Sequence, residues 1–484
     1  MVSSGPSRRT ALRAIGGALS LPALSSLATA SGRGAARDDV APLGRVEVDG
    51  AKEAVVGDDG DTVYLATTDG FATVDVSDPE KPAVLAERRS LLGDREDGPL
   101  TQIYDVKVDG DRLVVPGPAN PVRSGLQAAV LYDVSDPAAP ERLGVYETDF
   151  YHHNVYFHDG VLYFGGNGLP GNPLVMVDAD ALASGDPTPE LGRWSPADED
   201  ERWLDVPLPV FNLHDLWVQG GIAALAYWDA GTWLVDVSDP KNPEPVVKVR
   251  GMDPGKLADL SRQEATVRAF EPPGNDHYVA FDDDGRLLGL GIESWDQNQE
   301  DDAGGPGGIE LYDVSTPTDP TLVHSIAAPP AENDSYEGTW TTSHNFELAA
   351  GRLYSSWYQG GVKLYDVRDP AAPELLGEWA DRSDASFWTA QAARPGEFFV
   401  ASSANFLEWG TTEALYTFSE PALDGTRSGG GNGTAGPPGG NGSSNGTDGD
   451  AGGGSGATGA GFGVLGGAAA LGIAGWRLAR RRRE

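Results

Sequence analysis

A phrase that the chain repeats constrains its fold more than any other feature. Asp-Val-Ser-Asp-Pro, or a near relative, follows an apolar run at Asp75, Asp133, Asp236, Asp313 and Asp366. A worn copy stands at Asp178, and a seventh trace, ALYTFSEP, ends at Pro421. Such self-similarity has to be read before any local motif, because one repeat buries its apolar face only against its neighbours. Within each copy, alternating residues come in short runs separated by Gly, Asp or Pro turns, the pattern of strands rather than helices. In SHNFELAAGRLYSSWYQGGVKLYDVRDPAAPELLGEW, which starts at Ser343, four strands are expected over 344–348, 353–357, 362–367 and 374–379. Four-stranded antiparallel units in series point to an all-β propeller of seven blades, or six if the copy at Asp178 or the last one is irregular.

The two ends of the repeat region bear on the count. The seventh copy stops after three strands, whereas APLGRVEVDG, from Ala41, has the fourth-strand pattern with no first three strands before it. Pairing that N-terminal strand with the last blade closes the ring and removes strand edges that invite aggregation. The propeller is therefore expected over 41–424. Ahead of it, residues 1–30 read as an export signal, with Arg8 and Arg9, an apolar stretch and the small-residue site Ala28-Thr29-Ala30. Residues 425–459 are a Gly/Ser/Asn/Thr stalk too poor in apolar side chains to bury a core, with sequons at Asn432, Asn441 and Asn445. Residues 460–484 combine an apolar stretch with an arginine-rich end that stays on the cytoplasmic side, as in a membrane anchor.

Charge excludes one class of partner. With 73 acidic and 35 basic side chains, the net charge of −38 makes phosphate neutralisation, and so nucleic-acid binding, an unsuitable role. The acidic excess is spread along the chain, which suits a halophilic protein kept hydrated in concentrated salt. There is no cysteine, so disulfides, thiolate nucleophiles and thiolate metal sites are ruled out. Any metal has to be held by His and carboxylates.

The segments GFATVDVSDPEKP, LQAAVLYDVSDPAAP, GTWLVDVSDPKNP, GGIELYDVSTPTDP and GGVKLYDVRDPAAP resemble the LVIVD repeat, whose units read GLxIIDVSxPxxP. This resemblance covers about Ala41 to Pro421 and implies a propeller-like surface or extracellular protein; it lends no single reaction. The N-terminus resembles a twin-arginine export signal. The C-terminal AGFGVLGG with its basic end is similar to the PGF-type sorting tail of archaeal surface proteins, which is removed as a lipid is attached. Both resemblances imply a folded part outside the cell, tied to the membrane by the tail or an attached lipid.

The functional candidates gather on one face. Long insertions fall before His214, before His277, after Trp295 and before His344, and insertions on one face of a repeat protein mark its binding face. The second insertion is expected to hold a short helix with Asp253 as cap and Pro254 in the first turn. His153, His214, His277 and His344 open successive inner strands at that end; 22 residues separate the histidine from the repeat's Asp in the copies of His214 and His344. Tyr104 and Trp388 hold the equivalent places. Converging neutral imidazoles would hold a divalent transition metal. The same side chains could instead tie blades together or hydrogen-bond a ligand, and the pattern leaves these alternatives open. Tyr227, Trp228, Trp295, Trp357 and Tyr358 reach the inserted loops and, with Glu293, suit a sugar, peptide or protein surface. Glu293, Asp296, Glu300, Asp301 and Asp302 offer oxygens for calcium. The resulting expectation is a surface-anchored propeller binding an extracellular protein, glycan or other ligand. The alternative is a metal-dependent extracellular oxidoreductase or hydrolase using the histidines at the channel mouth.

Overall fold

Each copy of the repeat folds into one four-stranded antiparallel sheet, and seven such sheets follow one another around an axis. The structure is a computed structural model that describes residues 40–122, 125–297 and 304–423. The export signal, the stalk with its sequons, the C-terminal tail and the loop carboxylates Glu300, Asp301 and Asp302 all lie outside the described residues. Blades 1 to 6 span 51–89, 107–147, 155–194, 215–248, 276–326 and 346–379. Blade 7 takes three strands from 387–419 and its fourth from Pro42–Glu47, which pairs antiparallel with Ala414–Ser419 in the register Arg45↔Tyr416 and Val46↔Leu415. The propeller is therefore seven-bladed and closed by its N-terminal strand; the copy at Asp178 gives a regular blade, so six blades do not apply.

The repeated phrase makes a turn by a definite mechanism. The first aspartate ends the third strand, and its carboxylate accepts the main-chain N–H two residues on: Asp75 from Ser77, Asp133 from Ser135, Asp236 from Ser238 and Asp313 from Ser315, at 2.8–2.9 Å. The second aspartate repeats the bond three residues later, as in Asp136 to Ala138 and Asp239 to Lys241. Two successive Asx turns thus carry the chain to the fourth strand. In the worn copy, Asp178 accepts from Asp180 and Ala181 and caps the short helix Ala179–Ala183 instead.

First strands of neighbouring blades touch one another around the axis, while fourth strands such as Ala83–Arg89 are exposed on alternate residues. The core lies between blades: Trp217, Tyr278, Phe346 and Trp357 share one apolar cluster drawn from blades 4, 5 and 6. The fourth strand also touches the turn of the blade that follows. A Cβ at Gly192 would stand 2.4 Å from the Pro240 carbonyl oxygen, and one at Gly44 2.7 Å from that of Pro79, so Leu-Gly in these strands marks a close backbone approach.

The inserted segment 251–275 holds the helix Pro254–Ala258, although Asp253 makes no side-chain cap bond there. A second helix, Arg262–Arg268, carries a capping box between Ser261 and Glu264. Among the described residues no helix is long and apolar enough to cross a membrane.

Replacing Gly192 by Ala forces the blade 3–blade 4 seam apart and should cost about 1–3 kcal/mol, read as a lowered urea midpoint; an unchanged midpoint would remove close approach as the reason for this glycine.

Candidate functional site

The sequence pair that opens each inner strand builds two layers at one end of the channel. Its first residue, in blade order, is Lys52, Tyr104, His153, His214, His277, His344 and Trp388; its second is Glu53, Asp105, Asn154, Asp215, Tyr278, Asn345 and Thr389. The second layer is a buried polar belt. Asn345 donates to Glu53 at 2.6 Å, Asn154 donates to Asp215 at 2.6 Å, and Lys107 lies between Asp105 and Glu53, 3.8 Å from the latter. Burial pushes the Glu53 carboxyl up to about 7 despite the Lys107 ammonium. Buried charges persist only when paired in this way, so the belt fixes the blades' mutual position beneath the mouth.

The first layer brings the four histidines into one arc. Ring centroids are 4.2 Å apart for His153–His214, 3.7 Å for His214–His277 and 5.0 Å for His277–His344. His214 Nδ1 lies 2.9 Å from the carbonyl of His277, and His344 Nδ1 2.5 Å from that of Trp388, each the equivalent residue of the next blade. His153 Nδ1 faces the Ala119 carbonyl at 3.0 Å. A carbonyl only accepts, so Nδ1 carries the proton in all three and Nε2 keeps its lone pair. These histidines therefore join neighbouring blades and still offer an acceptor. Lys52 completes the layer with its ammonium over the rings of Tyr104 and Trp388, at 5.9 and 5.7 Å, and burial pushes it down to about 8.

Above the arc lies a cavity of about 720 Å3, lined by all four histidines, Glu293, Trp228, Trp295 and Tyr358, together with Trp340 and Trp388. The insertions supply its walls through Leu208, Asn212, Phe270, Asn275 and Tyr336. Trp228 and Tyr358 reach it because their φ angles are +43° and +48°, a left-handed turn that is uncommon outside glycine. Each also makes a β-bridge to the next blade, with Asp276 and Phe387 respectively.

Two expected aromatics are elsewhere, and this is a correction. Tyr227 and Trp357 precede these turns, so strand alternation sends them into the core: Tyr227 donates to the Asn172 carbonyl, and Trp357 Nε1 donates to Ser355 Oγ. Both oxygens of Glu293 have neighbours. Its Oε1 accepts from Tyr358 at 2.6 Å and its Oε2 stands 3.1 Å from His277 Nδ1. Burial acts to raise this carboxyl, but the His277 imidazole and these neighbours outweigh it and hold it below the ordinary range. Asp296 is not part of the cavity lining.

Sequence reasoning missed Trp340, Tyr336, Phe270 and Phe406, and also Lys52. Trp295 and Trp340 pack at 4.5 Å and Trp340 and Tyr358 at 5.1 Å, forming one aromatic wall. An aromatic in each insertion, as in SYEGTW and ANFLEWG, was the available signal. Several polar atoms of lining residues are buried without a hydrogen-bond partner: Trp228 Nε1, Trp295 Nε1, Asn275 Oδ1 and His277 Nε2. Orphans are rare in native proteins and call for an explanation.

Comparison with known proteins agrees with the fold. The LVIVD repeat family model matches residues 59–87 and 212–250, so the chain carries LVIVD repeats. No curated protein matches it. Among solved structures, it is similar to the Myceliophteria thermophila Cps50 (Swd1) β-propeller domain at 11% identity, with a TM-score of 0.52, over 79% of this chain and 99% of that one. A chain of a mitotic checkpoint complex structure is similar at 12% identity, with a TM-score of 0.47, over 84% of this chain and 98% of that one.

Burial pushes the His153 imidazole down to about 4, helped by repulsion from His277. The unfolded chain then binds the extra proton between about pH 4 and 6.5, so the neutral ring's contribution to stability is complete above pH 6.5 and is lost as pH falls towards 4. His153→Gln should therefore gain in melting temperature relative to the parent as pH is lowered through that window; a constant difference would show that His153 is not held neutral.

Proposed function

We propose that this protein is a binding propeller displayed outside the cell, which takes a small, largely apolar ligand bearing an oxygen acceptor into the cavity at the inserted-loop mouth. The observation that carries this reading is the pair of orphan donors in an aromatic wall. Trp228 and Trp295 line the cavity, and the Nε1–H of each is buried with no acceptor. An indole N–H normally finds one when buried. A cavity of about 720 Å3 also lies in the range of small-molecule sites, which are mostly apolar with a few placed polar groups. The LVIVD repeats and the propeller fold support a binding scaffold in general terms.

Display outside the cell, with anchoring by the C-terminal tail, rests on the sequence of the two ends: an export-type N-terminus, a polar stalk, and an apolar tail followed by arginines. A macromolecular partner is favoured by one separate observation. Leu204, Leu208 and Val267 are exposed on the two insertions beside the cavity, and Leu208 also lines it. A protein or glycan seated there could place one ring in the pocket.

Binding is tested with aromatic carboxylates of one and two rings as probes. Saturable change in tryptophan fluorescence with a rise in melting temperature is expected, with Trp295→Ala weakening binding about tenfold or more; absence of both signals across the panel rejects the small-ligand reading. Display is tested by fractionation and by protease treatment of intact cells. Full-length chain in the membrane fraction that is cut from outside is expected, and a protected cytoplasmic pool would contradict it.

A further inference from the structure

The floor of the cavity brings two buried imidazoles and a carboxylate together. His277 is 3% exposed; its Nε2 has no hydrogen-bond partner, and its Nδ1 faces the Glu293 carboxylate. Its Nδ1 is 3.1 Å from Glu293 Oε2. With metal–ligand bonds of about 2.1 Å, neighbouring donors in a tetrahedral or octahedral shell stand about 3.0–3.4 Å apart. The His277–Glu293 separation falls in that range. His277, Glu293 and His344 present donor atoms that all fall within 4.8 Å of one another.

The surroundings orient these donors as metal ligands are oriented. His344 Nδ1–H is bound to the Trp388 carbonyl, which leaves Nε2 as its free donor atom. Tyr358 donates to Glu293 Oε1 and leaves Oε2 available. Outer partners of this kind fix ring tautomers and carboxylate orientation in metal sites. His214, its ring 3.7 Å from that of His277 and its Nδ1 tied to the His277 carbonyl, stands beside the group with Nε2 uncommitted by that bond.

We propose that His277, His344 and Glu293 bind one divalent first-row transition-metal ion at the cavity floor, with His214 adjacent as a further imidazole and His153 outside the ligand set. Two imidazoles and one carboxylate, in a chain without cysteine, suit Zn2+, Fe2+, Ni2+ or Cu2+ rather than calcium or magnesium, which take oxygen shells. Three protein donors leave a coordination position towards the cavity, the arrangement of sites that bind an exogenous oxygen ligand. This goes beyond the ligand reading above: it names a second occupant of the same cavity and requires no organic ligand.

The test uses tag-free chain stripped with chelator and titrated with Co2+ as a spectroscopic probe. One equivalent should produce a saturable visible absorption, displaced by Zn2+, and protein purified without chelator should retain about one equivalent of a transition metal by elemental analysis. Glu293→Gln and His344→Ala should each weaken Co2+ binding at least 100-fold, and Tyr358→Phe, which keeps the ring and removes only the bond to Glu293, about 10-fold. His153→Ala should change it by less than threefold. Circular dichroism of each variant guards against loss of fold. No stoichiometric binding by the parent chain, or binding unchanged in Glu293→Gln and Tyr358→Phe, overturns the proposal. Trp295→Ala separates the two readings: it should lose aromatic-carboxylate binding while keeping Co2+ affinity.

Discussion

The structure depends on one ladder formed between the two ends of the repeat region. Pro42–Glu47 pairs with Ala414–Ser419, and further bonds reinforce the join: Gly44 N–H to Thr417 Oγ1 at 3.0 Å, Val48 N–H to the Glu413 carbonyl at 3.0 Å, and Arg45 to Asp384 at 2.6 Å. Each such bond is worth only about 1 kcal/mol net. Their effect is topological, because they turn seven stacked sheets into a ring with no open blade at either end. Only in a closed ring does the first strand of blade 1 meet both blade 2 and blade 7. The belt bond from Asn345 in blade 6 to Glu53 in blade 1 exists for the same reason.

Closure also decides what the histidines can do. An imidazole has two nitrogens, and in a ring of repeats one is used for assembly: His214 and His344 each donate from Nδ1 to the carbonyl of the equivalent residue one blade on. The other nitrogen is not used by that bond. His277 differs because the place of a carbonyl is taken by Glu293, itself held by Tyr358. A structural repeat thereby carries one irregular member, and at that member the imidazole Nε2 is buried without a hydrogen-bond partner. Carbonyls that hold Nδ1 protons and a tyrosine that holds one carboxylate oxygen make the arc rigid before anything binds, which lowers the cost of ordering on binding.

Much of this was legible in particular residues. The aspartates at 75, 133, 236 and 313 announce their turns because an Asx turn needs only residues two apart, a local matter. The fourth-strand pattern at Ala41 with no blade before it signalled closure, and the chain pairs accordingly. The aromatic assignments show where sequence reasoning ends. Tyr227 and Trp228 are adjacent and alike in chemistry, yet strand alternation sends the first into the core, while a left-handed turn takes the second to the cavity. Nothing in a Tyr-Trp pair announces a φ of +43°. Glu293 was visible as a polar group beside Trp295; it meets His277 within blade 5, where its N–H bonds the Asn275 carbonyl, but the Tyr358 that holds its other oxygen comes from blade 6.

The sequence by itself determined what depends on neighbours along the chain: strand alternation, the Asx turns, the number of repeats, the unpaired strand at the start and the absence of thiolate chemistry. Tertiary structure alone decided which side chains share the cavity, which imidazole nitrogen is free, and that His277 and His344 come together with Glu293 rather than with His153. The physical reason is that those outcomes are set by distances between blades. Such distances follow from the radius of the closed ring and the packing of large side chains across each seam, and both exist only once all seven sheets are assembled.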